Sequence, residues 1–154
     1  MPTRHAAEVI RRRAAEQNAR LFEVENAYRV SNLISENGCY RFTAAQNANN
    51  WQIAITLPLA GRFQIQNALT AIAAARLLAE RGFPLTDAAI TKGLAAVRWP
   101  GRIEHLQDRP AVYLDGTHNP AGARELAAFW EETFPGRRIH LIYGAMRDKA
   151  VDEV

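Results

Sequence analysis

The clearest pattern along the chain is at Trp51, Ile53, Ile55 and Leu57, which alternate with Gln52, Ala54 and Thr56. A period of two places the first set on one buried face of a β-strand. Upstream, Ala6, Val9, Ile10 and Ala14 recur at helical spacing among Arg and Glu, which predicts a short amphipathic helix over 5–17. Residues 21–24 and 28–34 read as short strands, Asn37-Gly38 as a hairpin turn and 39–43 as the returning strand, followed by a polar loop over 45–50. After Pro58 and Gly61, an Ala- and Leu-rich helix is expected over 63–80, stopped by Gly82 and Pro84. Thr86 is placed to cap a second helix with Ala88, Ile90, Leu94 and Val97 on its apolar side.

The pattern breaks at Trp99-Pro100-Gly101-Arg102, and residues 107–110 are polar and turn-prone, so a domain boundary is expected between Trp99 and Pro110. Beyond it come an apolar strand over 111–115, a helix over 120–134, a Pro135-Gly136 turn and a second apolar strand over 138–143. That order predicts a βαβ unit with parallel strands and right-handed crossover. A lone unit of this kind leaves sheet edges open, so the second domain reads as cut short.

Composition narrows the class. With 154 residues, 48% hydrophobic and 23% charged, the chain has the make-up of a folded domain. The longest apolar run is far below the roughly 20 residues that cross a bilayer, and the arginine-rich start has no signal-peptide block, so no membrane association is expected. The single cysteine, Cys39, forms no intramolecular disulfide and no multi-cysteine zinc site, which fits a cytoplasmic protein. The net charge of +3 is concentrated in Arg4, Arg11, Arg12, Arg13 and Arg20. No aromatic is interleaved among them, so they read as a solvated helix face and no nucleic-acid partner is expected.

In a parallel sheet, ligands gather outside the carboxyl ends of the strands. Two loops qualify. In Asp115-Gly-Thr-His118-Asn119-Pro120, Asn119 is placed to cap the helix and Pro120 suits its first turn, leaving amide groups that attract anions. The second is Gly144-Ala-Met-Arg147-Asp148-Lys149. The bland alternatives are that Asp115 satisfies turn amides, His118 is solvated and Lys149 is an exposed helix residue. Asp115 and His118 are too few for a metal site, and no metal ligand set is expected in the chain. Gln64 and Asn67, three apart at a helix start, are able to read a purine edge or simply to cap the helix, and Trp99 reads as a packing residue.

Three blocks resemble the folylpolyglutamate and dihydrofolate synthases of the Mur ligase superfamily. Gly61-Arg-Phe-Gln-Ile-Gln-Asn67-Ala68 is similar to the family's Gly-x-His-Gln-x-x-Asn-Ala helix start. Trp99-Pro-Gly-Arg102-Ile-Glu104 is similar to its interdomain Trp-Pro-Gly-Arg-x-Glu, and Asp115-Gly-Thr-His118-Asn119-Pro120 to its Asp-Gly-Ala-His-Asn-Pro. Phe63 stands where the family usually has His, and Thr117 replaces Ala. The family's phosphate loop is missing from these 154 residues.

The resemblance implies an α/β fold: the tail of a Mur-ligase-type central ATPase domain over 1–98, a linker over 99–109, and a truncated Rossmann-like C-terminal glutamate ligase domain over 110–154. It implies an ATP- and Mg2+-dependent amide ligase that adds L-glutamate to folate or dihydropteroate through an acyl phosphate, working as a monomer, with the magnesium ligands outside this sequence. By the same resemblance Asn67 serves the adenine end, Arg102 the phosphates, and Asp115 the nucleotide side of the interdomain cleft, while His118 positions glutamate. Gln64, Asn119, Arg147, Asp148 and Lys149 are secondary candidates. The rival readings are a Mur-type ligase with another acceptor or amino acid, a nucleic-acid-binding module, and a non-catalytic fragment.

Overall fold

The computed structural model describes residues 4–36 and 38–146. Helix α1 (Arg4–Glu16) matches the predicted amphipathic helix, and Arg11 of its exposed side reaches Glu23. Residues 21–24 do not form the expected strand. The amides of Asn26 and Ala27 bond back to the carbonyl of Glu23 and wind a single helical turn, α2 (Val24–Ala27). Phe22 and Val24 still pack on the core, so their apolar character found a use without a strand partner.

The first sheet is an antiparallel meander of β1 (Tyr28–Glu36), β2 (Cys39–Gln46) and β3 (Gln52–Leu57). Gly38, at φ 74°, lies in the β1–β2 turn; Asn37 lies outside the described residues. Register pairs Tyr40 with Leu57, Phe42 with Ile55 and Ala44 with Ile53, which stacks the apolar members of both strands on one face. The loop expected over 45–50 is shorter than read. Ala45 is paired with Gln52, and the Gln46 amide bonds the Trp51 carbonyl at 3.0 Å, because buried Ala44 and Ala45 keep the strand in place past the point where its sequence turns polar.

Helices α3 (Phe63–Ala79) and α4 (Asp87–Ala95) cover that face. Ala68, Leu69, Ile72 and Ala73 of α3 and Ile90 of α4 join Tyr28, Tyr40, Phe42, Ile55 and Leu57 in one core. Thr86 caps α4 as expected, accepting the Ala89 amide at 3.1 Å.

Beyond Trp99 the structure departs from the βαβ expectation. Residues 104–108, read as linker and turn, form β4 (Glu104–Asp108), which pairs antiparallel with β5 (Ala111–Leu114). Helix α5 (Pro120–Thr133) follows, but residues 138–143 form no strand, and Leu141 and Ile142 are 73% and 99% exposed. An apolar strand needs a neighbour on its edge and cover on both faces. Here β5 has its hydrogen bonds with β4, and nothing described covers residues 138–143. The chain is thus mixed α/β, with antiparallel pairing in both sheets. No helix among the described residues is long and apolar enough to cross a membrane.

Candidate functional site

Three short segments meet where the two halves of the chain join. The first is the entry to α3. Gly61 has φ 93°, and a Cβ there would lie 2.4 Å from Phe63 Cε1 and 3.0 Å from Ile103 Cδ1, so only glycine fits. One turn on, Asn67 Nδ2 donates to Gln64 Oε1 at 2.8 Å. Gln64 is 1% exposed, and its Nε2 has no partner among the described residues. Burying an amide in this way costs about 1–3 kcal/mol, which is why unpaired groups of this kind concentrate where another requirement keeps them.

The second segment is the turn from Trp99 to Ile103. Gly101 takes φ 70° and Ile103 φ 47°, and the Gly101 amide donates to Glu104 Oε2 at 2.8 Å. Arg102 holds its guanidinium 5.5 Å from the centre of the Trp99 ring, within cation–π range. Among the described residues no carboxylate pairs with it.

The third segment is the loop between β5 and α5. Asp115 Oδ2 accepts the Ile103 amide and Oδ1 accepts the Thr117 amide, both at 2.8 Å. The Gly116 amide bonds the Gly101 carbonyl at 2.8 Å, and a Cβ on Gly116 would lie 4.0 Å from a guanidinium nitrogen of Arg102. Asn119 caps α5 by accepting the Gly122 amide at 2.9 Å, and Pro120 opens the helix, as the sequence predicted. His118 Nδ1 lies 2.9 Å from the Gly116 carbonyl. A carbonyl only accepts, so Nδ1 carries the proton and Nε2 is left as the outward nitrogen.

The structure therefore brings Arg102, Asp115 and His118 together through the 101–104 turn, with Gln64 and Asn67 joined to that turn through Gly61 and Ile103. Arg147, Asp148 and Lys149 lie outside the described residues. A cleft of about 1020 Å³ lies between the β1–β2 hairpin and β4, β5 and α5, with the 99–104 turn as part of its wall. Of the sequence-predicted site residues Arg102 lines it, with Trp99, Ile103 and Glu104 of the same turn, whereas Gln64, Asn67, Asp115 and His118 do not.

A nucleotide suits what the cluster offers: a cation without a carboxylate partner, and helix-start amides. Magnesium does not. Both oxygens of Asp115 are taken by backbone amides, and no group of three His, Cys, Asp or Glu side chains is gathered among the described residues.

The chain is similar to several known proteins. Residues 101–154 match the Mur ligase, glutamate ligase domain. The dihydrofolate synthase/folylpolyglutamate synthase of Bacillus subtilis (strain 168) is 40% identical over 96 residues, which are 62% of this chain and 22% of that protein. A solved FPGS–AMPPCP–folate complex superposes with a TM-score of 0.77 at 30% identity, over 84% of this chain and 32% of that one. These matches make the chain similar to part of the folylpolyglutamate synthases and, over residues 101–154, to the Mur ligase glutamate ligase domain. A Mycobacterium tuberculosis folylpolyglutamate synthase complexed with ADP and AMPPCP gives a TM-score of 0.73 at 29% identity, over 86% and 29% of the two chains. The chain spans between a fifth and a third of the length of these relatives.

Sequence reasoning missed the residues that hold the cluster together. Glu104 was seen only as a motif letter, and its role as acceptor for Gly101 depends on the turn closing. Ile103 gave no signal at all, because β-branched residues are poorly suited to positive φ. The ion pair of Arg62 with Glu132, 2.9 Å across the junction, joins residues 70 positions apart and has no local signature. Glu132 raises the pKa of Arg62, through a hydrogen bond first and through charge second.

Proposed function

We propose that the chain supplies the adenine end and the linker cation of the ATP site in an amide ligase that joins L-glutamate to folate or dihydropteroate. The observation that carries this reading is Arg102: a half-buried residue whose guanidinium has no carboxylate partner among the described residues, shelved on Trp99 at the loop that contains Asp115 and His118. A carboxylate becomes reactive toward an amine once ATP phosphorylates it, and the negative charge that moves between phosphates in that step is stabilised by fixed cations and amides. In this reading Arg102 meets the phosphates, and Asn67, held by the buried Gln64, faces the adenine. Asp115 fixes the nucleotide side of the cleft by binding the amides of both loops. His118, bonded through Nδ1 to the Gly116 carbonyl, presents Nε2 to the incoming glutamate. Magnesium, if the complete ligase holds it, would supply charge neutralisation and would take its ligands from outside these residues.

Two measurements test it. Calorimetric titration of the chain with ATP should show saturable binding that Arg102→Ala weakens by at least about tenfold, the scale of one lost charge-assisted contact. Equal affinity in both would remove Arg102 from the site. In the product of the complete coding sequence around the chain, ADP release should require both the folate or dihydropteroate acceptor and L-glutamate. Release that depends on a different amino acid or acceptor would favour a Mur-type ligase instead.

A further inference from the structure

Ile103 is the only β-branched residue at positive φ among those described, and three independent features hold it there. Its amide donates to Asp115 Oδ2 at 2.8 Å. Its side chain is 3% exposed, with Cδ1 against the hollow left by the missing Cβ of Gly61. The residues around it are fixed as well, since Glu104 binds the Gly101 amide and the Gly101 carbonyl takes the Gly116 amide, each at 2.8 Å. A left-handed β-branched residue is unfavourable unless its surroundings over-determine it, and such residues cluster where geometry serves a function. The consequence falls on its neighbour. With Ile103 turned inward toward Gly61 and its amide committed to Asp115, Arg102 is directed the other way, over Trp99 and beside Gly116.

We infer that Ile103 is a positioning residue: a wedge between the start of α3 and the Asp115 loop that sets the direction of the Arg102 guanidinium. Its value for nucleotide binding rests on the reading of Arg102 given above, whereas its effect on the placement of Arg102 does not. The wedge ties the turn bearing the phosphate cation to the helix start bearing Gln64 and Asn67, so one side chain fixes the direction of the cation relative to the adenine end of the site. A residue with this task is not catalytic, because it acts only through Arg102.

The first arm of the test needs no ligand. In nuclear magnetic resonance spectra of the 154-residue chain, the Arg102 side-chain NεH resonance should be displaced by the Trp99 ring current, an assignment that Trp99→Leu confirms by abolishing the displacement. Ile103→Ala should return that resonance toward the position of a free arginine, and Ile103→Val should retain the displacement. Ile103→Gly removes the wedge together with the backbone strain, so it probes the same point in a background where strain does not limit folding, and it too should lose the displacement. A folded Ile103→Ala or Ile103→Gly variant that keeps the displacement overturns the proposal.

The second arm compares ATP with adenosine by calorimetry. Ile103→Ala should weaken ATP by about tenfold, as expected when one charged contact is misdirected, and should leave adenosine unchanged. In an Arg102→Ala background it should add nothing further for ATP. Equal losses for ATP and adenosine would mark a merely structural residue and overturn the inference. A wild-type chain that binds no ATP would count against the ligase reading, with the ring-current arm still deciding the wedge.

Discussion

The two halves of the chain are held together by different physics. Between Tyr28 and Ile90 the sheet and helices share one continuous core, and twelve of the fourteen buried apolar residues among those described lie there. Among the described residues beyond Trp99, only Ile103 and Phe129 are buried to that degree, so hydrogen bonds and edge-to-face rings carry the structure. Asp115, Glu104 and Asn119 close the loops, while Tyr113 meets Trp130 at 5.0 Å with an interplanar angle of 86° and Phe134 at 5.6 Å. A core averages over many weak contacts and resists any single polar change, but depends on volume. A clasp of directional bonds is the reverse. The candidate site sits on the clasp, with one foot, Gly61, in the core.

The sharpest test of this contrast is volume. Leu57, 1% exposed, should cost about 2–5 kcal/mol of global stability when replaced by Ala, read by urea unfolding. Ile142→Ala, in the second half and 99% exposed, should stay within about 0.5 kcal/mol. Comparable losses would show that the second half has a core of its own. The next largest effect is directional. Asp115→Asn keeps the shape of the side chain but replaces one acceptor oxygen with a donor, and should cost the second half about 1.5–3 kcal/mol, the scale of a bond to a charged group. Hydrogen exchange should quicken at the amides of Ile103 and Thr117 while protection in β2 and β3 is unchanged. Uniform quickening would mean that the clasp and the core unfold as one unit.

The same contrast explains what the sequence made legible. The alternation ending at Leu57, the caps at Thr86 and Asn119, and the helices that follow them were readable because each is written in local spacing. The strand expected over 138–143 has equally good local spacing, yet forms none, because a strand's existence is decided by its neighbours. Residues 104–108 erred the other way: a polar stretch became β4 because it lies opposite β5. At the site, Asp115, His118 and Asn119 stood out by motif, and Arg102 by the resemblance of its Trp-Pro-Gly-Arg segment. Ile103 and the pairing of Arg62 with Glu132 were invisible, since one contradicts its own backbone preference and the other spans the junction.

Alkaline titration sharpens the comparison further. Burial, the largest cause in each case, raises the pKa of Tyr28 and Tyr40 in the first half and of Tyr113 in the second above the ordinary 10.0. A phenol whose folded pKa is raised contributes stability that is fully present below the unfolded value and is lost as pH rises through the folded one. Stability should therefore fall above about pH 10. Because Tyr40 is 2% exposed and part of the main core, Tyr40→Phe should flatten that fall more than Tyr113→Phe does, followed by circular dichroism across the alkaline limb. The opposite ranking would move the weight of the alkaline transition to the second half.

The smallest expected effects are also the most discriminating, because they apply the same chemical change to both halves. Thr86 accepts the Ala89 amide at 3.1 Å at the start of α4, and Asn119 accepts the Gly122 amide at 2.9 Å at the start of α5. Each cap contributes about 1 kcal/mol by the usual scale for such side chains. Thr86→Ala should lower the global unfolding midpoint, since α4 carries Ile90 into the shared core. Asn119→Ala should leave that midpoint nearly untouched. Its loss should appear locally, as faster exchange at Gly122 and in the loop carrying His118, because Gly122 lies directly under Thr117: a Cβ there would approach Thr117 Cγ2 to 3.0 Å. If both substitutions shift the global midpoint equally, α5 is part of the cooperative core, and the site is supported by packing rather than by its clasp.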